Sequence, residues 1–338
     1  MTRKAALLFF VIVLVVILLP AAVVSLGRLP GIALQDSGND SFDEEKDCSH
    51  NDSLQISLYR ADRKEVVQMD LKEYLTGVLL AEMPSSFETE ALKAQAVIAR
   101  TYALYQIRSL GGCGCSSSPL PADICSDSTH CQAWLDPLET VEEWGPESKL
   151  FLSRIKEAIS ETSGEVAVYQ GKLIEAVYHS TCGGTTEASH SLWSGGLLPY
   201  LQSIDCPYCE HSPHFRGEHL VPFPKVAAAL PQDLSWPVAS GEQLSLKVIS
   251  ETAGGRVSTL ELGGVVIEGK ELRHLLDLPS TSFTCEITTE GLLFHTRGRG
   301  HGVGLCQYGA DGAAREGKDY RQIIMHYYPG VEVTKLFH

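Results

Sequence analysis

A proline separates two helical patterns in the first half of the chain, and this break limits how the segment can fold. Leu71, Leu75 and Leu79 recur at helical spacing, so they predict an amphipathic helix. We expect this helix to end near Ala81. Pro84 cannot continue it, because proline lacks an amide hydrogen and its ring clashes with the preceding turn. The chain must therefore bend here before a second helix begins.

Both helices carry a capping signal at their start. Asp70-x-x-Glu73 precedes the first helix and Ser85-x-x-Glu88 precedes the second, each with the spacing of a capping box. The second helix is rich in alanine, which allows close packing. We expect it to run to about Leu110, where a pair of glycines stops it. The pattern predicts two helices joined at a tight junction.

A carboxylate lies in the junction between these helices. Glu82 directly precedes Met83-Pro84, and an acid held at such a junction is a candidate general acid or base. The C-terminal end of the first helix favours its protonated form, whereas the N-terminal end of the second helix favours the anion. An acid that merely flanks a helix is the alternative interpretation.

The N-terminal segment predicts where the rest of the chain lies. Two cations within residues 1–4 precede an apolar run over residues 5–26, which as a helix spans about 33 Å and can cross a hydrocarbon core of about 30 Å. We expect a cytoplasmic stub, an uncleaved transmembrane anchor and then a flexible acidic linker over residues 27–53. A cleaved secretory signal is the alternative, and either one places residues 54–338 outside the membrane.

Charge and patterning together indicate an acidic globular domain. The net charge of −15 over 338 residues argues against nucleic acid as a partner, since phosphate contacts require a basic surface. No fixed repeat and no convincing linker interrupts residues 54–338, so we expect one mixed α+β extracytoplasmic domain with a Cys-rich insertion near residues 111–135. Predicted strands cover 54–59, 66–69, 165–169, 172–179, 244–249, 257–262, 282–289 and 292–296, and further predicted helices cover 147–161, 270–276, 306–316 and 320–328.

Four separated blocks of sequence carry a family resemblance. They are Glu82-Met83-Pro84 with Glu90–Ala96 and Ala99–Tyr102, then Tyr178–Glu187, then Leu272-Arg273 with Leu278–Phe283, and finally Gly300–Ala310. In content and in order, these blocks resemble the stage II sporulation protein D family. The resemblance covers roughly residues 54–335 and is specific, because several blocks occur in sequence.

The resemblance implies a membrane-anchored lytic transglycosylase. Such enzymes cut the β-1,4 bond between N-acetylmuramic acid and N-acetylglucosamine of peptidoglycan, here in strands stripped of peptides, and leave a 1,6-anhydro sugar. The family's catalytic acid corresponds to Glu82. One carboxyl group suffices because the sugar's own C6 hydroxyl is the nucleophile, whereas ordinary glycosidases use two carboxyl groups.

The resemblance also implies partners and a setting. It predicts that a peptidoglycan amidase, which strips the stem peptides, and a membrane scaffold work with this protein while a forespore is engulfed. The catalytic domain would then lie on the mother-cell side of the intermembrane space. These expectations come from the resemblance alone.

Five residues are candidates for glycan binding. Lys93 and Arg100 lie seven residues apart on one helical face and could hold the lactyl carboxylate of muramic acid, with a solvated helix face as the alternative. Tyr200 is a candidate stacking ring or a core aromatic. His301 and Gln307 lie in and after a glycine-rich loop that lacks the context of a nucleotide-binding motif. They could donate hydrogen bonds to a glycan, or the loop could simply pack tightly against the first helix.

Ten cysteines are many for a chain that faces outward, where disulfides are the ordinary expectation. Cys115, Cys125, His130 and Cys131 are of the residue types that zinc prefers in tetrahedral sites, and some members of the family bind zinc in this region. Cys113 is the alternative fourth ligand, and a pair of disulfides is the alternative to a metal. We expect one structural zinc ion and no cofactor required for catalysis.

A second cysteine motif occurs later in the chain. Cys206-x-x-Cys209 has the spacing of a redox motif, but His211 and His214 follow where a redox fold needs a helix. The motif therefore predicts a local disulfide, with a metal site that includes the two histidines as the alternative.

Two other functions are compatible with the sequence. A cysteine hydrolase of the cell envelope would use Cys182 or Cys306 as the nucleophile and His179 or His301 as the base. A non-catalytic glycan-binding scaffold would need no reactive group at all.

Overall fold

Helices and short strands alternate along the chain in the computed structural model, which describes residues 54–193, 195–229 and 245–336. The predicted stub, membrane anchor and acidic linker lie outside these residues. Within them, every helix is too short or too polar to span a bilayer.

The elements form a mixed α+β arrangement, as predicted. Short segments of 3-10 helix occur at Arg108–Leu110 and Ser189–Ser191. In chain order the strands and α-helices are β1 (Gln55–Arg60), β2 (Glu65–Asp70), α1 (Leu71–Glu82), α2 (Thr89–Gln106), β3 (Ile124–Cys125), α3 (Pro137–Trp144), α4 (Pro146–Glu161), β4 (Glu165–Tyr169), β5 (Lys172–Leu173), β6 (Tyr178–His179), β7 (Arg216–Pro222), α5 (Phe223–Ala229), β8 (Leu246–Glu251), β9 (Val257–Leu262), β10 (Val265–Glu268), α6 (Gly269–Leu276), β11 (Phe283–Ile287), β12 (Gly291–Arg297), β13 (Leu305–Cys306), α7 (Gln307–Arg315), α8 (Tyr320–Tyr327) and β14 (Glu332–Lys335).

Helix α2 lies at the centre of the larger hydrophobic core. Its small residues, including Ala94, Ala96 and Ala99, are fully buried, which lets α4, α7, α8 and β4 pack against it. Because alanine has only a methyl side chain, neighbouring backbones approach the helix closely on several sides. The predicted role of these alanines in close packing is confirmed.

A smaller core forms between residues 216 and 297. Strands β11, β12 and β7 form one antiparallel sheet, and β10, β9 and β8 form another. Leu260, Leu272 and Phe294 are buried between these sheets and helix α6. This core does not include Glu82.

Short strand pairs join distant parts of the chain around the first helix. Strand β3 pairs in parallel with β1, so the Cys-rich segment near residues 111–135 is attached to the first sheet. Strand β13 pairs in parallel with β6, with Leu305 opposite Tyr178 and Cys306 opposite His179. The second pairing brings the start of α7 next to residue Tyr178.

Several predicted boundaries differ from the structure for local reasons. Neither predicted capping box forms: the residues before α1 and α2 make no side-chain cap. Helix α2 starts at Thr89, and the preceding amide of Glu88 donates to the Asp311 carboxylate at 2.8 Å, so a distant side chain holds this helix end. The predicted strand over residues 172–179 is reduced to β5 and β6. The elements that were not predicted are α3, α5, β3, β7, β10, β13 and β14.

A close contact to Gly77 fixes the segment that follows the cysteines against helix α1. The amide of Leu135 donates to the Gly77 carbonyl at 3.2 Å, and Trp134 covers the same turn. A Cβ at Gly77 would lie 2.2 Å from the indole nitrogen of Trp134. Glycine is therefore required here by space.

Replacing Gly77 by alanine should destabilise the protein, although alanine is favoured over glycine in helices by about 1 kcal/mol. The added methyl group must displace Trp134 or the backbone of Leu135. We expect the free energy of unfolding to fall by about 1–3 kcal/mol, as for other overpacked positions, in a denaturant titration.

The control is Gly195→Ala, because a Cβ at Gly195 would meet no atom within 4 Å. This variant should change the free energy of unfolding by less than about 0.5 kcal/mol. Equal stability of the two variants would contradict a tight contact between α1 and Trp134.

Candidate active site and cysteine clusters

The carboxyl group of Glu82 lies at the end of helix α1, directly before the bend at Pro84. Its Oε1 accepts a hydrogen bond from the backbone amide of Ala133 at 2.9 Å, and its Oε2 accepts one from Nε2 of Gln307 at 3.4 Å. The phenol of Tyr178 lies near the carboxyl group and lowers its pKa. These partners are all neutral.

A second layer of hydrogen bonds fixes the direction of these donors. The Tyr74 hydroxyl donates to Oε1 of Gln132 at 2.8 Å, and Nε2 of Gln132 donates to the Tyr178 hydroxyl oxygen at 3.1 Å. Because the oxygen of Tyr178 accepts this bond, its own hydrogen is available for Glu82. The network thus leaves the hydroxyl hydrogen of Tyr178 available to the nearby carboxyl group.

Burial raises the pKa of Glu82 above its usual value, because desolvation penalises the carboxylate anion. The hydrogen bonds from Ala133 and Gln307 and the nearby Tyr178 phenol oppose this shift without cancelling it. The sequence had left open which of the two helix ends would control the pKa, but burial is the largest cause. A carboxyl group with a raised pKa is suited to donate a proton near neutral pH.

Gln307, which the sequence predicted as a glycan-binding residue, contacts Glu82, and His301 lies one contact further away. Nε2 of His301 donates to the Tyr178 carbonyl at 2.8 Å, and its Nδ1 accepts from the amide of Val303 at 3.2 Å. Burial lowers the pKa of His301 to about 4, so the ring is neutral at physiological pH. In this arrangement His301 supports the backbone beside Tyr178.

Arg100 does not face a substrate. Its side chain is 0 % exposed, and the guanidinium donates to the carbonyl oxygens of Ile159 and Glu165 at 3.2 and 3.1 Å. Arg100 lies on the face of α2 that was predicted to carry it together with Lys93. This face packs against the end of α4 and the start of β4. The prediction that Arg100 binds a substrate carboxylate is therefore wrong.

Lys93 is engaged by acidic neighbours. Its ammonium lies 2.8 Å from Glu90 and 2.6 Å from Glu161, and only 16 % of its side chain is exposed. These two hydrogen bonds raise the pKa of Lys93. The structure therefore places this cation in a bridge between α2 and α4.

Tyr200 is a core aromatic in the structure, which corrects its predicted role as a stacking ring. It is 9 % exposed, its hydroxyl accepts a hydrogen bond from the amide of Glu175 at 3.2 Å, and its ring lies 5.4 Å from that of Tyr169. Trp193, which the sequence analysis did not single out, is 40 % exposed and lies 5.4 Å from the ring of His301. The sequence signal that could have identified Trp193 is its position as an aromatic residue directly before a Ser-Gly-Gly run.

Tyr178, Gln132 and Ala133 were also missed as partners of Glu82. Tyr178 begins one of the blocks that carry the family resemblance, and Gln132 directly follows the last predicted metal ligand. Their proximity to Glu82 depends on strand pairing and on the contact at Gly77, which no local pattern encodes. Ala133 contributes only its backbone, so its side chain gave no signal.

The first cysteine cluster consists of Cys115, Cys125, His130 and Cys131, the four predicted ligands. Their ligand atoms all lie within 4.8 Å of one another. Nδ1 of His130 is 3.4, 3.8 and 3.2 Å from the sulfurs of Cys115, Cys125 and Cys131. A tetrahedral zinc ion with ordinary bond lengths separates such atoms by about 3.6 Å. Residues of this cluster can hold a metal ion.

The other ring nitrogen of His130 supports the same conclusion. Nε2 lies 3.3 Å from the hydroxyl of Ser116, so this partner orients the ring with Nδ1 toward the three sulfurs. Cys113, the alternative ligand, is exposed and lies outside the cluster.

The second cysteine cluster consists of Cys182, Cys206, Cys209 and Cys306. Their sulfurs also lie within 4.8 Å of one another, and all four residues are buried. From the sequence we predicted a local disulfide between Cys206 and Cys209 only, because the other two cysteines are far away along the chain. His211 and His214, the alternative ligands, are not part of this cluster, and Nε2 of His211 lies 2.9 Å from Asp311.

The second cluster bears on the cysteine hydrolase hypothesis. Cys182 and Cys306 are 3 % and 0 % exposed, and burial raises the pKa of the Cys306 thiol. Nδ1 of His179 lies 3.1 Å from the Val303 carbonyl, so it donates there. A buried thiol with a raised pKa is a poor nucleophile, so the geometry does not favour this activity.

Comparison with known proteins agrees with the family resemblance. A family model described as "Stage II sporulation protein" matches residues 59–169. "Stage II sporulation protein D" of Bacillus amyloliquefaciens is 32% identical to this chain over 282 residues. The match covers 83% of this chain and 79% of that protein. The protein of the same name in Bacillus subtilis (strain 168) matches to the same extent. The "Amidase enhancer" of Bacillus subtilis is 27% identical over 311 residues, covering 77% of this chain and 40% of the enhancer. The chain belongs to the stage II sporulation protein D family.

Proposed function

We propose that the protein is a lytic transglycosylase that cuts β-1,4 bonds between N-acetylmuramic acid and N-acetylglucosamine in peptide-stripped peptidoglycan. The observation that carries this proposal is the setting of Glu82. A single carboxyl group is desolvated, has a raised pKa and contacts only neutral donors among the described residues. Such a group can give a proton and then take one back.

The reaction needs no second carboxyl group. Protonated Glu82 donates its proton to the bridging oxygen, and the bond from that oxygen to C1 of the muramic sugar breaks. The C6 hydroxyl of the same sugar then bonds to C1 and gives its proton to the Glu82 carboxylate. The product is a 1,6-anhydro sugar, no water is consumed, and Glu82 returns to its protonated form. Hydrolytic glycosidases differ because they must also activate a water molecule.

The surrounding residues have distinct proposed roles. The Ala133 amide and Gln307 stabilise the carboxylate after proton transfer, so they keep its pKa from rising further. Trp193 offers an exposed ring beside His301 on which a sugar can stack. These groups replace Arg100 and Tyr200 in the predicted binding surface.

The first cysteine cluster would hold a structural zinc ion in this proposal. Its three sulfurs and one imidazole match the donor set that zinc prefers, and Ser116 orients the histidine. Cys131 is followed directly by Gln132 and Ala133, which belong to the Glu82 network. The ion would therefore stabilise the segment that contacts the catalytic carboxyl group without taking part in the reaction.

The biological setting follows from the family and is part of the proposal. We place the protein at the cell membrane through its N-terminal apolar run, with the catalytic domain on the mother-cell side of the intermembrane space. A peptidoglycan amidase that strips stem peptides and a membrane scaffold of the engulfment machinery are the proposed partners. The likeness to an amidase enhancer supports a link with amidase action.

Glu82→Gln should abolish the release of 1,6-anhydro products, because glutamine cannot donate or accept the transferred proton. We expect at least a 100-fold loss of rate, typical of a removed general acid. Mass spectrometry of soluble products from peptide-free glycan strands measures this directly. Glu73→Gln is the control, since Glu73 is an exposed glutamate on the same helix.

Three results would count against the proposal. Anhydro products from Glu82→Gln would show that another residue is the acid. Reducing sugar ends from the wild-type chain would indicate a hydrolase. Binding of glycan with no released products would indicate a scaffold.

The pH dependence of the rate should report on Glu82. The reaction starts from the protonated acid, so the rate should fall as pH rises through the raised pKa of Glu82. Gln307→Leu removes a donor that lowers this pKa, so the falling limb should move to higher pH. Gln68→Leu, at an exposed position, is the control, and its rate should fall at the same pH as that of the wild type. If the rate of Gln307→Leu fell at the wild-type pH or at a lower pH, the assignment of Glu82 as the titrating acid would be contradicted.

Metal content tests the first cysteine cluster. His130→Ala should lower the zinc content by one ion per chain, measured by elemental analysis of the purified full chain, and should reduce the transglycosylase rate by loosening Gln132 and Ala133. Cys113→Ser removes a cysteine outside the cluster and should keep the wild-type content. Unchanged zinc in His130→Ala would refute the site.

A further inference from the structure

We propose that Cys182, Cys206, Cys209 and Cys306 hold a second zinc ion in a buried four-thiolate site. This inference does not depend on the transglycosylase activity. It concerns cysteines that the sequence had interpreted as a local disulfide pair and as two candidate nucleophiles.

The spacing of the four sulfurs fits one ion. All of them lie within 4.8 Å of one another, and those of Cys182 and Cys209 are 3.5 Å apart. Four sulfurs around a tetrahedral zinc ion, each bonded at about 2.3 Å, are separated by about 3.8 Å. Two separate disulfides would require two close pairs, whereas here each sulfur is near all three others. An iron–sulfur cluster, with several metal atoms between its ligands, would hold the sulfurs further apart.

Hydrogen-bond donors point at two of the sulfurs. The amides of Cys182 and Gly309 each donate to the sulfur of Cys306 at 3.3 Å. The Tyr327 hydroxyl lies 3.0 Å from the sulfur of Cys206, close enough to donate. Metal-bound thiolates carry negative charge and are commonly stabilised by such outer-shell donors. This surrounding is suited to thiolate ligands.

The backbone is shaped to admit the sulfur of Cys206. A Cβ at Gly309 would lie 2.6 Å from that sulfur and 2.1 Å from the Tyr327 hydroxyl oxygen. Glycine at this position, in the first turn of α7, therefore leaves the space that the ligand and its outer-shell partner occupy. The Gly309 amide then contributes its own hydrogen bond to the site.

Charge also favours a metal ion in this place. Four thiolates in a buried cluster would repel one another strongly without a cation between them. A divalent ion leaves a net charge of about −2 on a four-thiolate site. The buried guanidinium of Arg256 donates to the Cys182 carbonyl at 3.1 Å and so places a further positive charge beside the cluster.

The site would join three segments that are distant in sequence. Cys182 follows β6, Cys206 and Cys209 lie in the loop before β7, and Cys306 ends β13. Cys306 is followed directly by Gln307, whose side chain reaches Glu82. The ion would therefore fix the start of α7, and with it one of the hydrogen-bond partners of the carboxyl group.

The first test uses the wild-type full chain, purified without added reductant or chelator. Elemental analysis should find two zinc ions per chain. Alkylation under denaturing conditions with chelator and without reduction, followed by peptide mass spectrometry, should find all four cysteines of the second cluster alkylated. Peptides linked by disulfides between these cysteines would overturn the proposal, and so would iron in place of zinc.

The second test separates the two clusters. Cys209→Ser should lower the zinc content from two ions to one, and its combination with His130→Ala should remove both. Cys285→Ser, which changes a cysteine outside both clusters, should retain two ions. Thermal unfolding shows whether Cys209→Ser folds, and if it does not, the wild-type measurements decide the question. A wild-type content of one ion, lost in His130→Ala and kept in Cys209→Ser, would show that the second cluster binds no zinc.

Discussion

The hydrogen bonds to the Glu82 carboxyl group are the interaction on which the rest of the site depends. Ala133 and Gln307 each donate one hydrogen bond, and the Tyr178 phenol lies nearby; the three residues come from separate parts of the chain. A desolvated carboxyl group without such partners would be costly, whereas too many charged partners would hold it as an anion. Neutral donors in a buried setting leave it able to exist in both forms.

The two cysteine clusters flank this carboxyl group in a similar way. In the first cluster, Cys131 lies two residues before Ala133, whose amide contacts Oε1, and in the second, Cys306 is followed by Gln307, which contacts Oε2. Each cluster thus includes a cysteine that comes just before a residue in contact with Glu82. Metal ions bound at both clusters, as proposed, would limit how far the partners of Glu82 can move and so favour a fixed geometry.

Local patterns in the sequence predicted much of this arrangement. The break at Pro84, the two helices around it and the four ligands of the first cluster all depend on residues close together in the chain. The face shared by Lys93 and Arg100 was also correct, but helical spacing does not show what packs against a face. The second cluster was missed because Cys182 and Cys306 meet only through the parallel pairing of two-residue strands, which leave almost no pattern.

The distance along the chain between Glu82 and Gln307 has a consequence for folding. These residues are 225 positions apart, so their contact closes one of the longest loops that the domain contains. Contacts of this range form late and slowly, because the entropy of closing the loop is lost before the contact contributes stability. A chain still emerging from the ribosome therefore carries Glu82 without its Oε2 partner. The complete environment of the carboxyl group forms only after α7 has docked, which couples any activity of this residue to the completion of folding.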